Sequence, residues 1–154
     1  MPSALALNRF NGYLLEKSFK MFIVRNTLIP FPGYIAVTLW PFIFVRRKAW
    51  PRFTDDTLRH ERIHGLQQVE LLMVGAALTA ILILSDCGWW SLLALPLVFW
   101  LYGREWLLAL VCFRNCKKAY RAISFEQEAY GNEHHADYLT SRRPFAWLQY
   151  LRRL

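Results

Sequence analysis

A chain of 154 residues is one domain's worth, enough for a single modest core. It is 55% hydrophobic and 16% aromatic yet carries a formal charge of +8, a pairing that points to a membrane partner ahead of a nucleic acid. Three cysteines (Cys87, Cys112, Cys116) exclude a disulfide framework, and the absence of a glycine-rich phosphate loop or a cysteine-rich finger argues against nucleic-acid binding.

The expected fold class is a mostly α membrane protein: a two-span helical hairpin, cytoplasmic metal-binding helices and a short β-hairpin, all in one membrane-embedded domain over residues 1–154. Residues 1–20 place Leu14, Leu15, Phe19 and Phe22 at roughly helical spacing, which predicts a short amphipathic helix on the bilayer surface. Ala4 to Leu7 is too short for the apolar core of a signal peptide, so insertion is expected to use internal segments. Over 21–45 the runs Met21–Val24 and Tyr34–Leu39 flank the turn residues Ile29-Pro30-Phe31-Pro32-Gly33, predicting a β-hairpin or two short strands. Phe42–Val45 extends the second arm, with Pro41 at an edge or bulge. A membrane-dipping segment is the competing reading. Arg46-Arg47-Lys48 then marks a boundary at lipid headgroups.

The next stretch is the most informative. His60-Glu61-Arg62-Ile63-His64 has the pattern H-E-x-x-H, in a segment that Asp55 and Asp56 can cap and charge favourably and that no Pro or Gly interrupts before Gly65. On a helix, side chains four apart share a face, so His60 and His64 can grip one metal ion. Glu61 lies one residue round, within reach of a water on that metal without being a ligand. Zinc held by two imidazoles and a third residue, with one position open, is the usual hydrolytic arrangement; it lowers the pKa of water to about 7, and the glutamate removes the proton. The plain alternative is a charged turn at a membrane surface with both histidines solvated.

The metal helix is expected to span 55–85, with the almost wholly apolar Leu71–Ser85 entering the bilayer as a first span. Asp86-Cys87-Gly88 breaks it, Trp89-Trp90 reads as an interfacial belt, and a second span runs over 89–113 with a kink at Pro96. Arg104 and Glu105 interrupt that span; Arg104 can snorkel, and Glu105 is expected to pair with a basic residue elsewhere. Basic clusters precede the first span and follow the second, which predicts both termini and the metal helix on the cytoplasmic side of the membrane.

Beyond the spans, 124–140 reads as a further helix, with Glu126, Tyr130, Glu133 and Asp137 in one polar stripe and Glu128 on nearly the opposite face. A site with two histidines and a carboxylate needs an acid from a separate element, and this helix is the best source. The histidines His134 and His135 read as surface residues. The tail over 142–154 combines aromatics with two arginine pairs, as an interfacial helix on anionic lipid does.

H-E-R-I-H, an apolar hairpin, then Ser124-Phe125-Glu126-Gln127-Glu128-Ala129-Tyr130 resembles the membrane-bound gluzincin peptidases, the class of the CAAX prenyl proteases and their bacterial heat-shock relatives. It also resembles small bacterial membrane proteins carrying H-E-R-I-H and F-E-x-E-A-Y. The match covers two short motifs and a shared layout. Their second motif, E-x-x-A-D, supplies the third zinc ligand from its Glu. The resemblance therefore implies a zinc metallopeptidase with His60, His64 and Glu126 as ligands, Glu61 as general base, and a peptide or protein substrate. Tyr130 stands where the family has Asp, leaving the orientation of a histidine unexplained. Glu133-His134-His135-Ala136-Asp137 also matches E-x-x-A-D, so Glu133 remains an alternative ligand, as does Glu128. An edge strand within 21–45 could bind an extended peptide by strand addition. The rival expectation is a non-catalytic membrane protein with a structural or sensory zinc site.

Overall fold

A computed structural model describes residues 20–31 and 33–153; the amphipathic helix expected over 1–20 lies almost wholly outside them. The chain is mostly helical with one small sheet. It divides into two compact units: Met1–Gly65 with Glu128–Ala146, and Leu66–Gln127 with Trp147–Leu154.

The first unit begins with three strands, β1 (Phe22–Asn26), β2 (Ala36–Leu39) and β3 (Phe42–Arg46), in the order β1-β3-β2. β3 pairs parallel with β1, Phe22 opposite Phe42, and antiparallel with β2, Ala36 opposite Val45. The expected hairpin between the arms at 21–24 and 34–39 does not form. β3 alternates, with Ile43 and Val45 fully buried on one face of the sheet, the pattern of a half-buried strand. The tight connection lies at Trp40-Pro41, between β2 and β3, so Pro41 is a turn residue and not a bulge. After β1 the chain is turned aside by Asn26, whose Oδ1 accepts from the amides of Leu28 (2.8 Å) and Ile29 (2.6 Å). Arg46 Nη1 donates to the carbonyl of Pro30 at 2.8 Å, tying β3 to the segment after β1.

A 3₁₀ turn over Arg47–Arg52 leads to α1 (Asp55–Leu84). The cap comes from Thr54, not from Asp55: the Thr54 hydroxyl accepts from the amide of Thr57 at 3.3 Å, and its carbonyl accepts from the amide of Leu58 at 2.9 Å. Asp55 and Asp56 lie in the first turn, where negative charge suits the helix dipole. At 30 residues α1 is about 45 Å long. Its buried face is polar at first (His60, Glu61, Gln67, Glu70) and then small (Gly75, Thr79).

In the second unit, a Cβ at Gly75 would stand 2.5 Å from the carbonyl oxygen of Ala94. Glycine is what lets the 3₁₀ segment Gly88–Ala94 lie directly on α1, with Ser91 and Ala94 buried there. Leu72, Met73, Val74, Leu78, Ile81, Ile83 and Leu84 are exposed, and so are Trp89, Trp90, Phe99, Trp100, Leu107 and Val111. α1 is long and apolar enough to cross a membrane. The second expected span is not one helix: Gly88–Ala94 and α2 (Leu97–Phe113) are bent by 64° at their junction. Pro96, which cannot donate an amide hydrogen bond to the turn before it, sits at that break.

α2 ends at Arg114, which takes a left-handed conformation. Asn115 then caps a short helix that the sequence did not predict, α3 (Cys116–Ala122), its Oδ1 accepting from the amides of Lys117 (3.0 Å) and Lys118 (3.1 Å). Arg104 is exposed, whereas Glu105 is buried at the start of α4 (Ser124–Asn132). Its Oε2 accepts from the amide of Ser124 (2.7 Å) and its Oε1 from the Ser124 hydroxyl (2.9 Å). Glu105 thus meets a helix terminus where a basic residue was expected: a carboxylate satisfies an amide that a first turn leaves without a partner.

The helix expected over 124–140 stops at Asn132, and α5 (Tyr138–Ser141) is a separate short turn. Gly131-Asn132 ends it, as weak helix formers do. The predicted polar stripe is broken there, and Glu133 and Asp137 leave the face that carries Glu126. The tail forms a 3₁₀ segment over Ala146–Arg153, with Trp147 turned inward against Phe125, ring centroids 4.6 Å apart.

Candidate metal centre

His60 and His64 lie one turn apart on α1, as the spacing requires. Their Nε2 atoms are 3.1 Å apart and the rings meet edge to face at 4.7 Å. Two nitrogens on one tetrahedral zinc, each about 2.0–2.1 Å from it, stand roughly 3.3 Å from each other. The pair therefore already has the separation of two ligands on a single cation. The Nδ1 of His60 lies 2.8 Å from Glu133 Oε2. That hydrogen bond keeps the proton on Nδ1 and turns the Nε2 lone pair toward His64. Tyr130 packs against the His60 ring at 4.6 Å, so both faces of its freedom are restricted.

Glu61, 6% exposed, points to the sheet. Thr38 on β2 donates its hydroxyl to Glu61 Oε2 at 2.8 Å. The same hydroxyl lies 3.1 Å from the Glu61 carbonyl. A carboxylate held in this way has its orientation fixed by the sheet.

Of the three candidate acids, Glu133 meets His60 at the Nδ1 side, and Glu126 is the one grouped with both histidines as a ligand set. Ligand atoms from His60, His64 and Glu126 all lie within 4.8 Å of one another, a set that could hold a metal ion. α1 and α4, which carry these residues, are unbroken helices. Two imidazole nitrogens and a carboxylate oxygen suit zinc by their chemistry, though other divalent ions of the first transition row accept the same donors. Glu126 Oε1 also accepts from the hydroxyl of Tyr102 on α2 at 2.9 Å.

The other two acids have different work. Glu133 orients His60, and its backbone carbonyl accepts from Arg59 Nη1. Glu128, fully buried, is gripped by Arg142: Nε donates to Oε1 at 2.5 Å and Nη2 to Oε2 at 3.2 Å, with the Tyr138 hydroxyl donating to Oε1 at 2.9 Å. That is a structural ion pair tying 138–142 to α4, not a ligand position.

His134 is on the surface, as expected, and its Nδ1 lies 2.7 Å from Asp56 Oδ2. His135 is exposed. The hydrogen bond from His134, and then that from Arg59 at 2.8 Å, hold the Asp56 carboxyl below the usual carboxylate value. Reading the residues in order left out Thr38 and Tyr102. Neither stands in a motif, and each reaches the centre only through a fold-level contact.

No protein-family model, no curated protein and no solved structure matches this chain.

Proposed function

We propose that this chain is a zinc-dependent metallohydrolase of the membrane, a peptidase in which Glu61 is the general base and His60, His64 and Glu126 hold the metal. The observation that carries the reading is the pair of Nε2 atoms 3.1 Å apart, one of them turned by Glu133, with Glu61 the residue next to His60 on α1. A structural zinc site needs no acid in addition to its ligands, whereas hydrolysis does. When bound, the cation would polarise the scissile carbonyl and acidify a water. Glu61 would take the proton of that water and deliver it to the leaving amine, and the Thr38 hydroxyl would keep the carboxylate in place through both transfers. Among the described residues β2 has one neighbour in the sheet, β3, and it carries Thr38. Its outer edge is the proposed seat for an extended peptide, bound by strand addition.

The exposed apolar side chains of α1 and of 88–113 favour a lipid environment, since contiguous apolar surface on this scale is rare in water. The Arg and Lys residues of 46–62 and of 114–121, against Asp86 in the turn, support a topology with both ends of the hairpin in the cytoplasm, at a bacterial inner membrane. The test is Glu61→Gln in purified, zinc-loaded protein assayed on a peptide library. It should keep its metal and lose turnover by about 10²-fold or more; unchanged turnover removes Glu61 from the chemistry.

A further inference from the structure

α2 presents two polar side chains to α4, one turn apart. Glu105 anchors the N-terminus of α4 through both its oxygens, at 2.7 and 2.9 Å from Ser124. Tyr102, three residues earlier, reaches the same first turn of α4 and donates to Glu126 Oε1 at 2.9 Å. The Tyr102 ring is itself fixed, stacked on Phe125 at 6.2 Å with planes 13° apart. The carboxylate of Glu126 is thus held from below by the helix that carries it and from the side by a phenol whose own position leaves little play.

From this arrangement we infer that Tyr102 is a positioning residue that makes Glu126 a one-oxygen ligand. The inference rests on the proposed metal centre and specifies how its acid binds. A carboxylate can meet a divalent cation through one oxygen or through both. Chelation through both requires the two oxygens to approach the ion together, in the plane of the group. The Tyr102 hydrogen bond draws charge onto Oε1 and fixes that plane, which leaves Oε2 as the oxygen for the cation. The consequence is functional. With two imidazoles, a second carboxylate oxygen would fill the place that a hydrolytic centre keeps open for water. Tyr102 keeps that place open. The family to which the motifs bear a resemblance does not supply this assignment; it follows from where α2 sets its phenol.

The experiment uses full-length protein in detergent loaded with cobalt(II), whose visible absorption is strong in a four-coordinate site and weak when a fifth ligand is added. Wild type should show the four-coordinate spectrum. Tyr102→Phe should bind cobalt one-to-one and lose about two-fold or more of the visible intensity as Glu126 swings to use both oxygens. A Tyr102→Phe spectrum identical to wild type, at full cobalt occupancy, overturns the inference while leaving the metal centre intact. If wild type takes up no cobalt, or if uptake is untouched by His60→Ala, the metal centre itself fails and the inference falls with it. Should Tyr102→Phe not fold, zinc-edge X-ray absorption of wild type gives the same answer. A single carboxylate oxygen at bonding distance supports the assignment, and a chelating carboxylate refutes it.

Discussion

Glu133 Oε2 lies 2.8 Å from the Nδ1 of His60, on the side of the imidazole away from His64. The motif-level reading left the orientation of that histidine without an owner, because Tyr130 stands where an aspartate would be. Glu133, beyond the end of α4, supplies the missing carboxylate while Tyr130 buttresses the ring. Residues that orient a metal-bound histidine usually carry 10–100-fold in metal affinity. Glu133→Ala is therefore expected to weaken zinc binding by about that factor, with Glu133→Asp intermediate, in a competition titration against a chromophoric chelator. An affinity equal to wild type would reduce Glu133 to a surface acid.

Arg142 and Glu128 form the buried ion pair of the first unit, with side chains 3% and 0% exposed. Removing one partner strands the other charge away from water, which costs about 3–5 kcal/mol in comparable buried pairs. Arg142→Ala should lower the thermal midpoint sharply, and Glu128→Ala in addition should recover part of the loss. If Arg142→Ala unfolds at the wild-type temperature, the pair is not the clamp described.

Asp56 gives a pH signature. Its carboxyl is held below the ordinary value by the hydrogen bond from His134 and then by that from Arg59, so it is depressed in the folded chain relative to the unfolded one. A depressed acid stabilises the fold above the unfolded pKa, near 4, and the contribution is lost as pH falls through the lower folded value. Wild type should thus be more stable than Asp56→Asn above about pH 5, and the two should converge in strong acid. Parallel melting curves across that range would show that Asp56 has no such linkage.

Much of the centre was legible in the chain itself. H-E-x-x-H fixes two imidazoles and a carboxylate on one helix because α-helical geometry is local, and the resemblance drawn from Ser124–Tyr130 singled out Glu126. Pro96 marked the break before α2 for the same local reason. The sheet was less legible: β1 pairs in parallel with β3, a long-range outcome that the Pro/Gly cluster at 29–33 disguised as a hairpin. The helix of 124–140 was overrun because the polar stripe continues in sequence past Gly131-Asn132, where the backbone does not. Thr38, Tyr102 and the Glu128–Arg142 pair carry no pattern at all. Their roles exist only once distant segments are folded together.

The central claim, that two histidines of one helix and a glutamate of another share a cation, is tested most directly by metal analysis of purified wild type, His60→Ala, His64→Ala and Glu126→Ala. The account predicts about one zinc per wild-type chain and loss of most of it in each variant, since each removes one of only three protein ligands. Full metal content in both histidine variants would contradict it.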